Sequence, residues 1–157
     1  MRSILPGLKE ETKCGRENCV VHTSGGKGNC NKQGAVYQGI CVCCEQNNVR
    51  SVYFGETGKS TFVRGKQHLT AIGDPVGKQR GNAFAKHIME KHNGNRNIKF
   101  RFNVVKTFKK PMERQIREGV EIARAEVDML LNSKLDHYQP QMRRVRFTQF
   151  FDELEDA

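Results

Sequence analysis

All six cysteines of this chain lie between Cys14 and Cys44, and none occurs after them. A small secreted domain stapled by disulfides spreads its cysteines through the chain. A clustered set, behind a start (MRSILPGLKEE) that lacks the apolar centre of a secretion signal, points to metal instead. Four residues separate Cys14 from Cys19, His22 follows after two more, and the turn Gly25-Gly26-Lys27-Gly28 leads to Cys30. Zn2+ takes four nitrogen or sulfur ligands in a tetrahedron, and Cys14, Cys19, His22 and Cys30 supply one such set. Cys41 and Cys44, with two residues between them, offer a second knuckle. Pairing Cys14 and Cys19 with Cys41 and Cys44 is equally open on spacing, as is the presence of two sites. His87 and His92 are expected to be buried or surface histidines, because a five-residue step fits one helical face poorly; ligation by them stays open. The zinc is expected to be a staple rather than a catalyst. A structural site is worth roughly 10–16 kcal/mol of apparent binding free energy, ample to order a glycine-rich leader. The glycine run lacks the spacing and the following helix of a phosphate loop.

The charge balance narrows the partners. There are 27 basic against 17 acidic residues, a formal net charge of +10. Such an excess favours a polyanion and salt-dependent binding. No apolar run approaches membrane-spanning length, and the chain is expected to be intracellular. Its 157 residues suit one domain with one modest core.

Past the cysteines, loose alternation over Val36–Val42 and Val49–Phe54 predicts two strands of a hairpin turning at Cys43–Asn48. Folding about Glu45 sets Tyr37 opposite Tyr53, so that both phenols share a face. Gly55 closes the second strand, and Gly55–Ser60 makes a sharp exit. Ser60 caps a helix whose stripe is Phe62, Leu69 and Ile72. Arg64 and His68, four apart, stack on its polar face. Asn82–His92 predicts a short helix with Phe84, Ile88 and Met89 inward. Lys99–Val105 alternates as a half-buried third strand, and Pro111 opens a long helix. The stripe of that helix is Ile116, Val120, Ala123, Val127 and Leu130, and it ends near Asn132. Gln141–Arg146 carries Arg143, Arg144 and Arg146, suited to a phosphate backbone; the end of the chain turns acidic and aromatic.

The order of these residues resembles the GIY-YIG nuclease family. Ala35-Val36-Tyr37 stands where the family has Gly-Ile-Tyr, and Tyr53-Phe54-Gly55 where it has Tyr-Ile-Gly. Arg64 and His68 follow at the family's spacing. The run Tyr53–Thr57, with the cysteine pair ahead of it, is similar to the branch found with Penelope-like retroelements. The resemblance implies an α+β fold, a small three-stranded antiparallel sheet flanked by helices, with an N-terminal Cys/His zinc-binding segment. It divides the chain into a leader (1–33), a nuclease domain (34–146) and an acidic tail (147–157). It places the metal-binding carboxylate on the long helix, at Glu118 with Glu121 as the fallback, and a site-arranging asparagine at Asn132. Two bland readings compete there: an Arg114–Glu118 pair on one helix face and a helix C-cap at Asn132.

The chemistry implied is hydrolysis of a DNA phosphodiester with one Mg2+ or Mn2+. Tyr37 is the candidate base, a phenol of ordinary pKa about 10; Arg64, a metal ion or a proton-accepting His would have to lower it. Arg64 neutralises charge at phosphorus, Tyr53 orients the nucleophile and His68 bonds to Tyr or phosphate. Lys59 and the three arginines contact DNA. By the same resemblance the chain nicks target DNA beside a reverse transcriptase encoded with it, and is nuclear. Two rivals remain: a zinc-containing nucleic-acid-binding module that cuts nothing, and a disulfide-stapled secreted domain.

Overall fold

A computed structural model describes residues 14–132. In chain order the elements are α1 (Val20–Thr23), β1 (Gln33–Cys41), α2 (Val42–Gln46), β2 (Val52–Ser60), α3 (Thr61–Gly73), α4 (Ala83–Lys91), β3 (Phe100–Thr107) and α5 (Pro111–Arg124). A 3-10 turn over Val127–Met129 follows. The strands form one antiparallel three-stranded sheet in the order β2-β1-β3, so the fold is α+β with β1 at its centre.

Side chains alternate across a strand, and that alternation sorts the helices. Odd-numbered Tyr37, Cys41 and Tyr53 join Phe100 and Phe102 on one face, packed against Val20, Val21, Ile72, Phe84 and Ile88 of α1, α3 and α4. Ile40, Val52 and Phe54 point to the other face and meet Ile122 of α5. Val20 and Val21 are fully buried, so the cysteine-rich leader belongs to the main core.

Both sheet edges are covered. At β3, Val104 N–H donates to Lys27 O at 2.8 Å and Phe102 N–H to Ser24 Oγ at 3.0 Å. A Cβ on Gly26 would lie 1.6 Å from Phe102 O, so the glycine run is what lets this loop lie flat on the edge. At β2, Leu131 N–H donates to Val52 O at 2.8 Å. An unpaired edge invites foreign strands, and these contacts close it.

Several expectations are corrected. The hairpin is centred one residue later: Tyr37 faces Gly55 and Gly39 faces Tyr53. The tyrosines are therefore diagonal rather than opposed, and they keep a common face because the offset is two residues. The connection is the short helix α2 followed by Asn48 at φ 59°. Gly55 lies within β2, which runs on to Ser60. A Cβ there would sit 2.6 Å from the Tyr37 ring, so glycine is needed for close approach. Ser60 does cap α3, accepting from Val63 N–H at 3.3 Å. The inward stripe of α3 is Thr61, Gly65, His68 and Ile72, with Leu69 exposed; Gly65 makes room for Val20. On α4, His87 takes the inward place expected of Met89. Helix α5 stops at Arg124 and turns Arg114 and Ile122 inward, leaving Ile116 and Val127 exposed.

Candidate active site and metal centres

Tyr37 reaches the site from the middle of β1, and its ring occupies the space that Gly55 leaves open. The ring centroid of Tyr53 lies 6.2 Å away. His68 stands 5.6 Å from Tyr37 and 5.8 Å from Tyr53, ring to ring. The Tyr37 hydroxyl and His68 Nε2 are hydrogen-bonded at 2.7 Å, and both residues are buried. His68 is thus turned into the core, contrary to its expected place on the polar face of α3. Phe84 and Phe102 pack on its imidazole, and Asn82 Nδ2 lies 2.9 Å from its Nδ1. Arg64, one turn earlier on α3 and half-buried, directs its charge at both Tyr37 and His68. The structure brings these four residues together.

Burial pushes the Tyr37 phenol well above its usual range; Tyr53 adds to the shift and Arg64 opposes it. A phenolate at Tyr37 is therefore disfavoured by its surroundings. Burial also lowers His68 to about 4, with the Arg64 charge acting the same way. The folded value lies below the ordinary one near 6.5. Stability from neutral His68 is thus complete above that value and is lost as pH falls toward 4. The drop is about 3 kcal/mol over that window. Urea unfolding of wild type and His68→Gln at about pH 7 and about pH 4 checks it: the wild type should lose that much more, and equal losses would refute the assignment.

Two four-residue ligand groups flank this cluster, each with its donor atoms within 4.8 Å of one another. In the first, His22 Nδ1 lies 3.2 Å from Cys14 Sγ and 3.5 Å from Cys19 Sγ, and Cys30 completes the set. In the second, Cys44 Sγ lies 3.4 Å from His87 Nε2 and 3.5 Å from His92 Nε2, and Cys41 Sγ is 3.4 Å from His92 Nε2. A zinc tetrahedron with S and N ligands has edges of about 3.3–3.8 Å, so both groups fit the ion. The pairing of Cys14 and Cys19 with Cys41 and Cys44 is excluded. His87 and His92 are the two ligands that sequence reasoning left open. His92 is the C-cap of α4, at φ −129°; the chain has left the helix there, so the five-residue objection does not apply. The pattern Cys-x2-Cys with His-x4-His was the available signal.

The clusters hold the helices that carry the site. Arg16 stacks on Phe62 of α3 at 3.5 Å and donates to Cys30 Sγ at 3.4 Å, and Phe62 N–H donates to Cys30 O at 3.0 Å. The second cluster joins the end of β1 and α2 to α4.

Asn132 is not a helix cap. Its amide clamps the edge of β2, accepting from Phe54 N–H at 3.0 Å and donating to Phe54 O at 2.8 Å. That holds the strand between Tyr53 and Gly55. Glu118 is half-buried on α5, on the stripe between Arg114 and Ile122. It approaches the sheet from the α5 side, across from the face that bears Tyr37. Arg114 pairs with Glu56, and Glu121 pairs with Arg117 at 2.8 Å. Lys59 is exposed on β2. Arg143, Arg144 and Arg146 lie outside the described residues. No family model, curated protein or solved structure matches this chain.

Proposed function

We propose that this chain is a metal-dependent DNA endonuclease of the GIY-YIG type. One observation carries the reading: Tyr37, Tyr53, Arg64 and His68 meet on one face of the sheet. Burying hydroxyl, imidazole and guanidinium groups together costs free energy, and aromatic packing alone has no need of them. On this reading Arg64 balances charge at the phosphorus, Tyr53 orients the attacking water and Tyr37 takes part in its deprotonation. The resemblance assigns Glu118 to hold Mg2+ or Mn2+, which would supply charge neutralisation at the leaving oxygen; the carboxylate lies on α5, across the sheet from the Tyr37 face, so this role rests on the resemblance alone. Lys59 and the basic surface would follow the phosphate backbone. The resemblance to Penelope-like elements adds target-DNA nicking, a reverse transcriptase partner and a nuclear site of action.

A second reading is a zinc-containing module that binds nucleic acid without cutting it. The two Cys/His groups fit this reading, which needs metal and a basic surface and has no use for the tyrosines. Supercoiled plasmid with Mg2+ separates the two. The wild type is expected to nick it, and Arg64→Ala to nick roughly 10²–10³-fold more slowly. A wild type that binds plasmid and leaves it supercoiled would establish the module.

A further inference from the structure

Asn82 stands just ahead of α4 and caps it, its Oδ1 accepting from Phe84 N–H at 3.0 Å. A backbone N–H only donates, so that bond fixes which end of the amide is oxygen. The other end, Nδ2, therefore faces His68 Nδ1 at 2.9 Å. An amide nitrogen also only donates, so Nδ1 is the acceptor. A neutral imidazole that accepts at Nδ1 carries its proton on Nε2. Nε2 lies 2.7 Å from the Tyr37 hydroxyl oxygen, and His68 consequently donates to that oxygen. This reverses the expectation that His68 takes a proton from tyrosine. Tyr37 keeps its own O–H directed away from the imidazole, and its oxygen gains a donor that favours developing negative charge.

We infer that Asn82 is a positioning residue for the reaction: through one side chain it caps α4 and fixes His68 as a hydrogen-bond donor to Tyr37. The functional half of this inference rests on the nuclease reading. The sequence marks Asn82 only as a helix start. Its second task becomes visible once α4 is laid beside α3.

The substitution Asn82→Asp separates the two tasks. A carboxylate caps a helix as well as an amide, so α4 and the thermal midpoint should be preserved. Against His68 Nδ1, however, it places an acceptor where a donor stood, which moves the imidazole proton to Nδ1 and turns Nε2 into an acceptor. Metal-loaded protein labelled with 15N-histidine, at a pH of about 8 so that imidazole stays neutral, reports the tautomer by long-range proton–nitrogen correlation. The expected result is Nε2–H in the wild type, Nδ1–H in Asn82→Asp, and plasmid nicking about 10–100-fold slower in the variant. A wild-type His68 protonated on Nδ1 overturns the inference and needs no variant. So does an Asn82→Asp protein that keeps the proton on Nε2, or one that inverts the tautomer and nicks at the wild-type rate. A wild type that nicks nothing refutes the nuclease reading instead, while the spectrum still decides the hydrogen bond.

Discussion

Stripping metal from this protein with a strong chelator is expected to unfold it at ambient temperature. Each Cys/His group ties together segments that are remote in the chain. The second joins Cys41 and Cys44 to His87 and His92, and so pins α4 to the end of the central strand. A structural zinc contributes roughly 10 kcal/mol or more, whereas a whole domain is stable by about 5–15 kcal/mol. Losing even one ion therefore removes most of the margin. The metal-free groups are also poor neighbours for the core. Burial pushes Cys30 up to about 11 and Cys41 up to about 12, so both are protonated thiols at neutral pH. Zinc must displace those protons, and its hold weakens as pH falls. The measurements are zinc content per chain and the thermal midpoint with and without chelator. Two ions per chain are expected in the wild type and one in Cys44→Ser. A protein purified free of zinc whose midpoint ignores chelator would overturn the assignment.

Replacing Glu118 with Gln is expected to slow plasmid nicking by roughly 10³-fold, the scale set by several kcal/mol of metal-ion charge stabilisation. Affinity for DNA should stay near the wild-type value, because the substitution removes a negative charge and no cation. The choice of Glu118 rests on the resemblance, which places the metal-binding carboxylate on this helix, where Glu118 lies half-buried between Arg114 and Ile122. Glutamine keeps the size and the half-buried contacts, so the thermal midpoint should hold and a loss of nicking can be read as chemistry. A Glu118→Gln protein that nicks at the wild-type rate would remove this residue from the mechanism, and an inactive Glu121→Gln would move the role to the fallback.

The residues themselves announced much of the site. Tyr37, Tyr53, Arg64 and His68 were legible because a strand and a helix each present side chains at a fixed period. A hairpin followed by a capped helix brings such residues near one another whatever the details. The first zinc group was legible for a similar reason: its four ligands are close in the chain, and a glycine-rich turn closes them. The second was left open at His87 and His92, where treating a helix and its cap as one regular element argued against ligation. Asn132 was assigned by resemblance as a site-arranging residue; its clamp on Phe54 was not legible because that partner is far away in sequence.

Local pattern alone determined the three strands, the start of α3 at Ser60, the opening of α5 at Pro111 and the clustering of thiols that calls for metal. Each of these depends on backbone preferences or spacing within a few residues. Tertiary structure decided everything that depends on which face meets which. It turned His68 inward against Tyr37, gave its Nδ1 to Asn82, set α5 on the opposite side of the sheet and divided five of the six cysteines between two centres, leaving Cys43 out of both. Those outcomes follow from packing aromatic rings over glycines and from pairing buried polar groups such as His68 and Asn132. Such contacts join residues scores of positions apart, and no periodicity within the chain encodes them.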